Sequence, residues 1–147
     1  MAESYVLLED NYKEVCKRYM TIIKAEEAAY GENVIVCDDM RFEDRDGWCL
    51  MTMMSGDEVA EEILLELSEG CKLLYFYDND DQLDCEFLVI DDNQVIRRKY
   101  IYSDLPELNR DDGHLKAEEE ERAFLNWCDI DYFARIAGKD PYKLFER

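Results

Sequence analysis

The chain has 147 residues, the usual size of one domain, and 48% of them are hydrophobic, which suffices for a buried core. Its 37 acidic and 17 basic residues give a formal charge of −20. This charge disfavours nucleic acid and anionic membranes as partners, because phosphate contacts need clustered Lys and Arg. All apolar runs are shorter than the ~18 residues of a membrane span. We therefore predict one domain over residues 1–147.

The first half of the chain alternates β-prone runs with amphipathic segments. Asp10 or Asn11 is suited to cap the first helix and Gly31 to end it. The charged stretch 38–46 is predicted as a connection, anchored by Met40 and Phe42. The predicted elements are a strand at 5–8, a helix at 12–30, strands at 34–37 and 48–54, and a helix at 58–67.

The second half begins with three strand-like runs separated by short polar turns, which is typical of an antiparallel meander. The predicted strands are 72–77, 85–90 and 94–102, followed by a loop at 103–116, helices at 117–127 and 130–137, and a turn within 140–145. The order is β-α-β-β-α-β-β-β-α-α. It predicts an α+β fold, with a mainly antiparallel sheet and helices on one face and at the C-terminus.

The six cysteines favour a reducing compartment. The start Met1-Ala2-Glu3-Ser4 is acidic and has no apolar core behind it, so no signal peptide is predicted. Cys37, Cys49, Cys71 and Cys85 lie in runs that we predict as strands, where free cysteine acts as a small hydrophobe. We therefore expect reduced thiols and a cytoplasmic location.

No catalytic pattern stands out in the chain. His114 is the only histidine, and it lies in a polar loop with no placed Ser or Cys partner. No glycine-rich phosphate loop and no Cys-x-x-Cys pair is present, so no cofactor is predicted. These observations favour a binding protein over an enzyme.

The densest acidic cluster lies at 78–86 and is the main alternative to that interpretation. An EF-hand loop starting at Asp78 would need Gly at its sixth position and Glu at its twelfth, but Leu83 and Val89 stand there. A looser divalent site, and with it a metal-assisted enzyme, stays open. A solvated hairpin turn that meets a basic partner is the simpler interpretation.

The aromatic residues of the strands have two interpretations. Tyr75 and Tyr77 share one side of their strand, and Tyr100 and Tyr102 share one side of theirs. Together with Trp48 they would form either core packing under helices or a patch for a partner, since tyrosine is enriched at interface hot spots.

One stretch resembles a known class of proteins. A Gly47-Trp48 strand is followed by a helix ending at Leu67-Ser68, a strand entering an acidic turn at 74–81, two more strands, and the segment 102–106 (Tyr-Ser-Asp-Leu-Pro). Over residues 45–108 this resembles small acidic bacterial immunity proteins encoded beside polymorphic or contact-dependent toxins. The resemblance implies tight binding to one cognate toxin domain, and many such toxins are basic nucleases.

We therefore predict a cytoplasmic toxin inhibitor that binds a basic protein through carboxylates of 38–46, 78–84 and 104–112. An adaptor module that binds a peptide along a sheet edge is the other alternative, and the oligomeric state is left open. The predicted partner-binding residues are Asp38, Asp39, Glu43, Asp44, Asp46, Asp78, Asp80, Asp81, Asp84, Asp104, Asp111 and Asp112.

Overall fold

The computed structural model describes residues 2–115, 134–135 and 138–140. Residues 2–115 contain two α-helices, nine strands and a short 3₁₀ turn. In chain order they are β1 (Ala2–Leu8), α1 (Tyr12–Ile23), β2 (Ala29–Gly31), β3 (Val34–Cys37), β4 (Met40–Arg45), β5 (Trp48–Met53), α2 (Glu61–Leu67), β6 (Leu73–Asn79), β7 (Asp84–Asp91), β8 (Gln94–Tyr102), the 3₁₀ turn (Pro106–Leu108) and β9 (Arg110–Gly113).

The strands of the described residues form one antiparallel sheet in the order β2-β3-β4-β5-β1-β6-β7-β8-β9. Strand β1 lies in the middle and pairs with β5 on one side and β6 on the other. The predicted mainly antiparallel α+β architecture is confirmed at this level, and so is the meander β6-β7-β8. The element count and several boundaries differ from the prediction.

The first helix is shorter than predicted. Asn11 caps it by accepting a hydrogen bond from the N–H of Lys13 at 2.9 Å, but it ends at Ile23 instead of residue 30. Lys24 adopts a left-handed conformation with φ of 57° and closes the last turn. Residues 29–31 then pair with β3 as the unpredicted strand β2.

The predicted connection at 38–46 is mostly strand β4. Met40 and Phe42 are fully buried, whereas Arg41 and Asp44 are exposed. Four charged residues within Met40–Arg45 hide this apolar alternation, because a charge-rich run is typical of a loop. The anchor roles predicted for Met40 and Phe42 are consistent with their burial.

Two further boundaries needed correction. Helix α2 starts at Glu61 instead of residue 58, and the predicted loop at 103–116 contains the 3₁₀ turn and strand β9. Of the helices predicted at 117–127 and 130–137 and the turn within 140–145, only residues 134–135, which are helical, and 140 lie within the described residues.

Each face of the sheet carries a buried apolar cluster. Val6, Met51 and Leu88 lie on the face covered by α1 and α2, with Leu64 of α2 packed against them. Leu7, Leu50, Phe76 and Phe87 point to the other face and pack with Ala134. Full burial of such a side chain contributes about 1.5–3 kcal/mol. The two apolar clusters therefore stabilise the central strands, and these strands hold the turns at the ends of the sheet in place.

The described cysteines are free thiols, and four of the five are buried. Burial raises the pKa of Cys16 to about 11 and also raises that of Cys49, so both thiols stay protonated. Cys71 was predicted in a strand but follows α2 in the connection to β6. Among the described residues, no helix is long and apolar enough to cross a membrane.

Candidate functional site

The antiparallel register gathers four acidic segments at one end of the sheet. Met40 lies opposite Met53, Ala2 opposite Asn79, and Asp84 opposite Tyr102, so these strand ends form one row. The segments 38–39, 54–60, 78–84 and 103–109 all leave from this row and define the acidic end. They contain no Lys, Arg or His, and their carboxylates are Asp38, Asp39, Asp57, Glu58, Asp78, Asp80, Asp81, Asp84, Asp104 and Glu107.

The acidic end is wide enough for a protein interface. Neighbouring strands lie about 4.8 Å apart, and the turn at 80–83 lies four strand positions from the turn at 38–39. The connection at 103–109 lies two positions further. The row therefore spans about 30 Å, which suits a typical interface of about 800 Å² per partner.

Two of the acidic segments are joined by hydrogen bonds. The Asp84 Oδ1 atom accepts the N–H of Ser103 at 3.2 Å, and the Ser103 hydroxyl donates to the Leu83 carbonyl at 2.7 Å. Asn109 Oδ1 accepts the N–H of Tyr102 at 2.7 Å. These hydrogen bonds hold segments 78–84 and 103–109 against each other.

The other two acidic segments are joined in the same way. Asp39 Oδ2 accepts the N–H of Ser55 at 3.1 Å, and the Asp39 carbonyl accepts the N–H of Met54 at 2.9 Å. Asp38 is exposed and left-handed, with φ of 57°. This arrangement presents the Asp38 carboxylate to solvent on a rigid turn.

Asp78 shows how crowded the negative charge is. Burial, followed by repulsion from Asp80 and Glu3, raises the pKa of Asp78. Its Oδ1 atom is buried and has no hydrogen-bond partner. Burial and nearby negative charge therefore both disfavour the ionised form of Asp78.

Five of the predicted partner-binding residues lie away from the acidic end. Glu43 pairs with Arg45 at 2.8 Å within β4, where Asp44 also lies, and Asp46 at the opposite end of the sheet contacts Lys139 Nζ at 3.4 Å. In β9, Asp111 pairs with Arg97 at 2.7 Å, and Asp112 pairs with Arg98 and Arg110 at 3.0 and 2.8 Å. The seven others lie together at the acidic end: Asp38, Asp39, Asp78, Asp80, Asp81, Asp84 and Asp104.

A second feature, which the sequence analysis did not identify as a site, lies beside the acidic end on the helix-bearing face. Glu86 of β7 is only 6% exposed. Its carboxylate accepts hydrogen bonds from the hydroxyls of Tyr75 (2.8 Å) and Tyr102. The Tyr75 oxygen in turn accepts the N–H of Val59 at 3.0 Å. These contacts fix the segment leading into α2 against the sheet.

The surroundings of Glu86 favour the protonated form of its carboxyl group. Burial raises the pKa of Glu86 to about 7, although the hydrogen bonds from Tyr102 and Tyr75 favour its ionised form. The neighbouring Glu58 carboxyl adds to the increase. Glu86 therefore changes charge near neutral pH.

Glu61 lies close by in the opposite situation. The Arg98 guanidinium holds Glu61 with two hydrogen bonds, at 2.8 and 2.9 Å, and lowers the pKa of that carboxyl. The Tyr100 hydroxyl donates to Glu61 at 3.2 Å. An open cleft of about 460 Å³ lies over this network, lined by Glu61, Arg98, Tyr100, Tyr102, Glu107, Leu108 and Arg110.

The sequence contained signals for this cleft. Glu86 interrupts the apolar run of β7, and an acidic residue in a buried strand signals a special environment. The register places Tyr75, Tyr77, Tyr100 and Tyr102 on one face of the sheet, which is the condition for the patch interpretation. Tyr75 and Tyr77 are core, whereas Tyr100 and Tyr102 are partly exposed at the cleft. Trp48 packs on the other face of the sheet.

Within residues 2–115, 134–135 and 138–140, no three His, Cys, Asp or Glu side chains lie close enough to hold a metal ion.

No protein-family model, no curated protein and no solved structure matches this chain.

Proposed function

We propose that this protein is an acidic binding protein of the immunity type, which neutralises a basic bacterial toxin domain in the cytoplasm by covering it. The observation that carries the proposal is the acidic end itself. Four segments that are distant in sequence, and that contain no Lys, Arg or His, bring ten carboxylates to one end of the sheet. Such a surface attracts a basic protein and accelerates the encounter.

The internal contacts of the acidic end also favour binding over catalysis. Its turns are fixed by backbone hydrogen bonds, so a partner meets a preorganised surface and little entropy is lost on binding. Among the described residues, no Lys or Arg lies within ion-pair distance of Asp38, Asp57 or Asp104. A basic partner could therefore pair with these carboxylates without breaking an ion pair of the described residues.

The test compares two variants of equal net charge. The first neutralises the acidic end with Asp38→Asn, Asp80→Asn, Asp81→Asn and Asp104→Asn. The matched control neutralises four exposed glutamates elsewhere, with Glu32→Gln, Glu62→Gln, Glu66→Gln and Glu69→Gln. Each tagged form is used to capture proteins from the native host at low and moderate salt.

We expect the wild-type chain and the control to capture one stoichiometric basic protein that is toxic when expressed alone. Co-expression of either should restore growth. The acidic-end variant should associate at least about tenfold more slowly at low salt, and this difference should shrink as salt rises. Equal losses in both variants, or no capture at either salt, would overturn the proposal.

A second candidate is a module that binds an extended peptide at a sheet edge. Strand β2 is exposed along its whole length, and a groove of about 750 Å³ lies between it and α1. A partner strand could add to β2 and place side chains in this groove. Tyr30→Pro would remove the outward N–H of β2, because Tyr30 and Ile35 form the non-hydrogen-bonded pair of this hairpin. It should reduce such binding, whereas the acidic-end variant would leave it unchanged.

A further inference from the structure

We propose that the cleft beside the acidic end binds the guanidinium group of one arginine side chain. This inference rests on the proposed function, since a basic partner would supply the arginine. The cleft walls are the rings of Tyr100 and Tyr102, which meet edge to face with centroids 6.3 Å apart. Leu108, 52% exposed, forms an apolar part of the rim.

The donors of Arg98 and Arg110 are directed mainly to Glu61 and Asp112, so the tyrosine oxygens and Glu107 supply the acceptors of the cleft. Tyr102 donates its hydroxyl proton to Glu86, and Tyr100 donates its own to Glu61. Their oxygen atoms keep lone pairs, and no donor among the described residues reaches them. Glu107 adds an exposed carboxylate at the rim. A guanidinium carries five donors and no acceptor, so it matches this lining.

The charge of the cleft also suits a cation, although two arginines line it. Arg98 is held by Glu61 and Asp112, and Arg110 also pairs with Asp112. These four groups together are neutral. The remaining carboxylates are Glu107 and, behind Tyr102, the Glu86 and Glu58 pair. The net charge of the cleft is therefore negative.

The aromatic walls favour arginine over lysine. A guanidinium is planar and weakly hydrated, so it can stack on a tyrosine ring and still donate to oxygen atoms at its edge. An ammonium group is compact and strongly hydrated, and leaving water costs it more. The cleft is an open surface feature, which suits the end of one long side chain.

Binding should be linked to a proton. Glu86 faces Tyr75 and Tyr77 of β6, Tyr102 and Tyr100 of β8, and Glu58 before α2. Its pKa is about 7, so a cation in the cleft would favour its ionised form and release the proton. Affinity for arginine should therefore rise between pH 6 and pH 8.

The experiment titrates the purified chain with N-acetyl-arginine amide, followed by NMR of the tyrosine rings and the Glu86 carboxyl. N-acetyl-citrulline amide, which has the same shape without the charge, is the matched probe. We expect saturable shifts at Tyr100 and Tyr102 with the arginine probe, and about fivefold weaker binding of citrulline. The Glu86 pKa should fall when the arginine probe is bound.

Two variants locate the effect. Glu86→Gln should abolish the pH dependence of binding. Glu107→Gln, at an exposed position that folding does not require, should weaken binding about threefold, while Glu66→Gln should leave it unchanged. Equal affinity for the two probes, or shifts confined to other regions, would overturn the inference. Capture of a basic partner despite that result would leave the proposed function intact.

Discussion

The carboxylates of the acidic end and those of the neighbouring arginine-paired region (Glu61, Arg97, Arg98 and 110–112) have different environments. In the arginine-paired region, Arg98 contacts Glu61 and Asp112, and the buried Arg97 contacts Asp111 at 2.7 Å. At the acidic end, hydrogen bonds from backbone N–H groups hold the turns, and Asp38 and Asp104 face solvent. The arginine contacts stabilise the fold, whereas Asp38 and Asp104 form no ion pair with the described residues.

This difference shows that an acidic sequence position has no fixed role. Asp104 and Asp112 are eight residues apart in the chain, yet only Asp112 lies opposite an arginine, because β9 pairs with β8. A carboxylate paired with arginine would lose that interaction before it could bind a partner. A contact to a carboxylate of the acidic end would not require an existing arginine pair to break.

The largest effect should come from breaking the backbone packing of the acidic end. Gly56 has φ of 77°, and a Cβ there would lie 2.3 Å from the Ala2 carbonyl oxygen. Gly56→Ala should lower the free energy of unfolding by about 2–3 kcal/mol. Gly47 has φ of 85° with nothing near its Cβ position, so Gly47→Ala should cost only about 1 kcal/mol. Urea denaturation with unchanged m-values checks this, and equal losses would contradict it.

Removing Arg98 should have the next largest effect. Arg98→Ala loses its two hydrogen bonds to Glu61 and one to Asp112, which we expect to cost about 2 kcal/mol of stability. Arg41 is the control, because it is 49% exposed and lies 3.7 Å from Glu43. Arg41→Ala should cost less than about 0.5 kcal/mol in the same denaturation experiment. Similar losses would show that the arginine-paired region does not stabilise the fold.

Glu86 should give the protein a distinctive pH dependence. Its pKa is raised from 4.5 to about 7 by folding, so the folded state binds the extra proton between these values. Relative to Glu86→Gln, the wild-type chain should therefore lose stability as pH rises from about 4.5 to 7. Denaturation at several pH values measures the difference, and a constant difference would contradict the burial of an ionisable group.

Glu61 provides the contrast in sign. Arg98 lowers its pKa below 4.5, so its contribution is present above that value and is lost as pH falls through the folded pKa. Relative to Glu61→Gln, the wild-type chain should lose stability on acidification. The stability contributions of Glu61 and Glu86 should thus change with pH in opposite directions.

Much of the sheet could be predicted from the sequence because apolar runs bounded by polar turns mark the strands β3 and β5 to β8. Strands β2 and β9 could not, since they are short edge strands whose residues are exposed. Strand β4 was missed because four charged residues surround Met40 and Phe42. Local patterns predict a buried run well and a polar edge strand poorly.

The candidate sites follow the same division. The acidic turn at 78–84 is apparent in the sequence, because its composition alone marks an exposed turn. Its proximity to 103–109 and 54–60 depends on strand order, which a single sequence does not reveal. The cleft lined by Tyr100 and Tyr102 depends on register as well, since a shift of one residue would move both side chains to the other face.

The smallest effect should distinguish the two regions most directly. Asp38→Asn, Asp57→Asn and Asp104→Asn together remove three exposed charges, and asparagine tolerates the left-handed conformation of residue 38. Relief of repulsion should raise stability by about 0.5–1 kcal/mol at low salt, and 1 M salt should remove the gain because the screening length falls to about 3 Å. Asp112→Asn should instead lower stability, because Arg98 and Arg110 lose a charged acceptor. If both variants gain stability, the ion pairs of Asp112 contribute less than the repulsion around it. If both lose stability, the carboxylates of the acidic end have stabilising partners of their own.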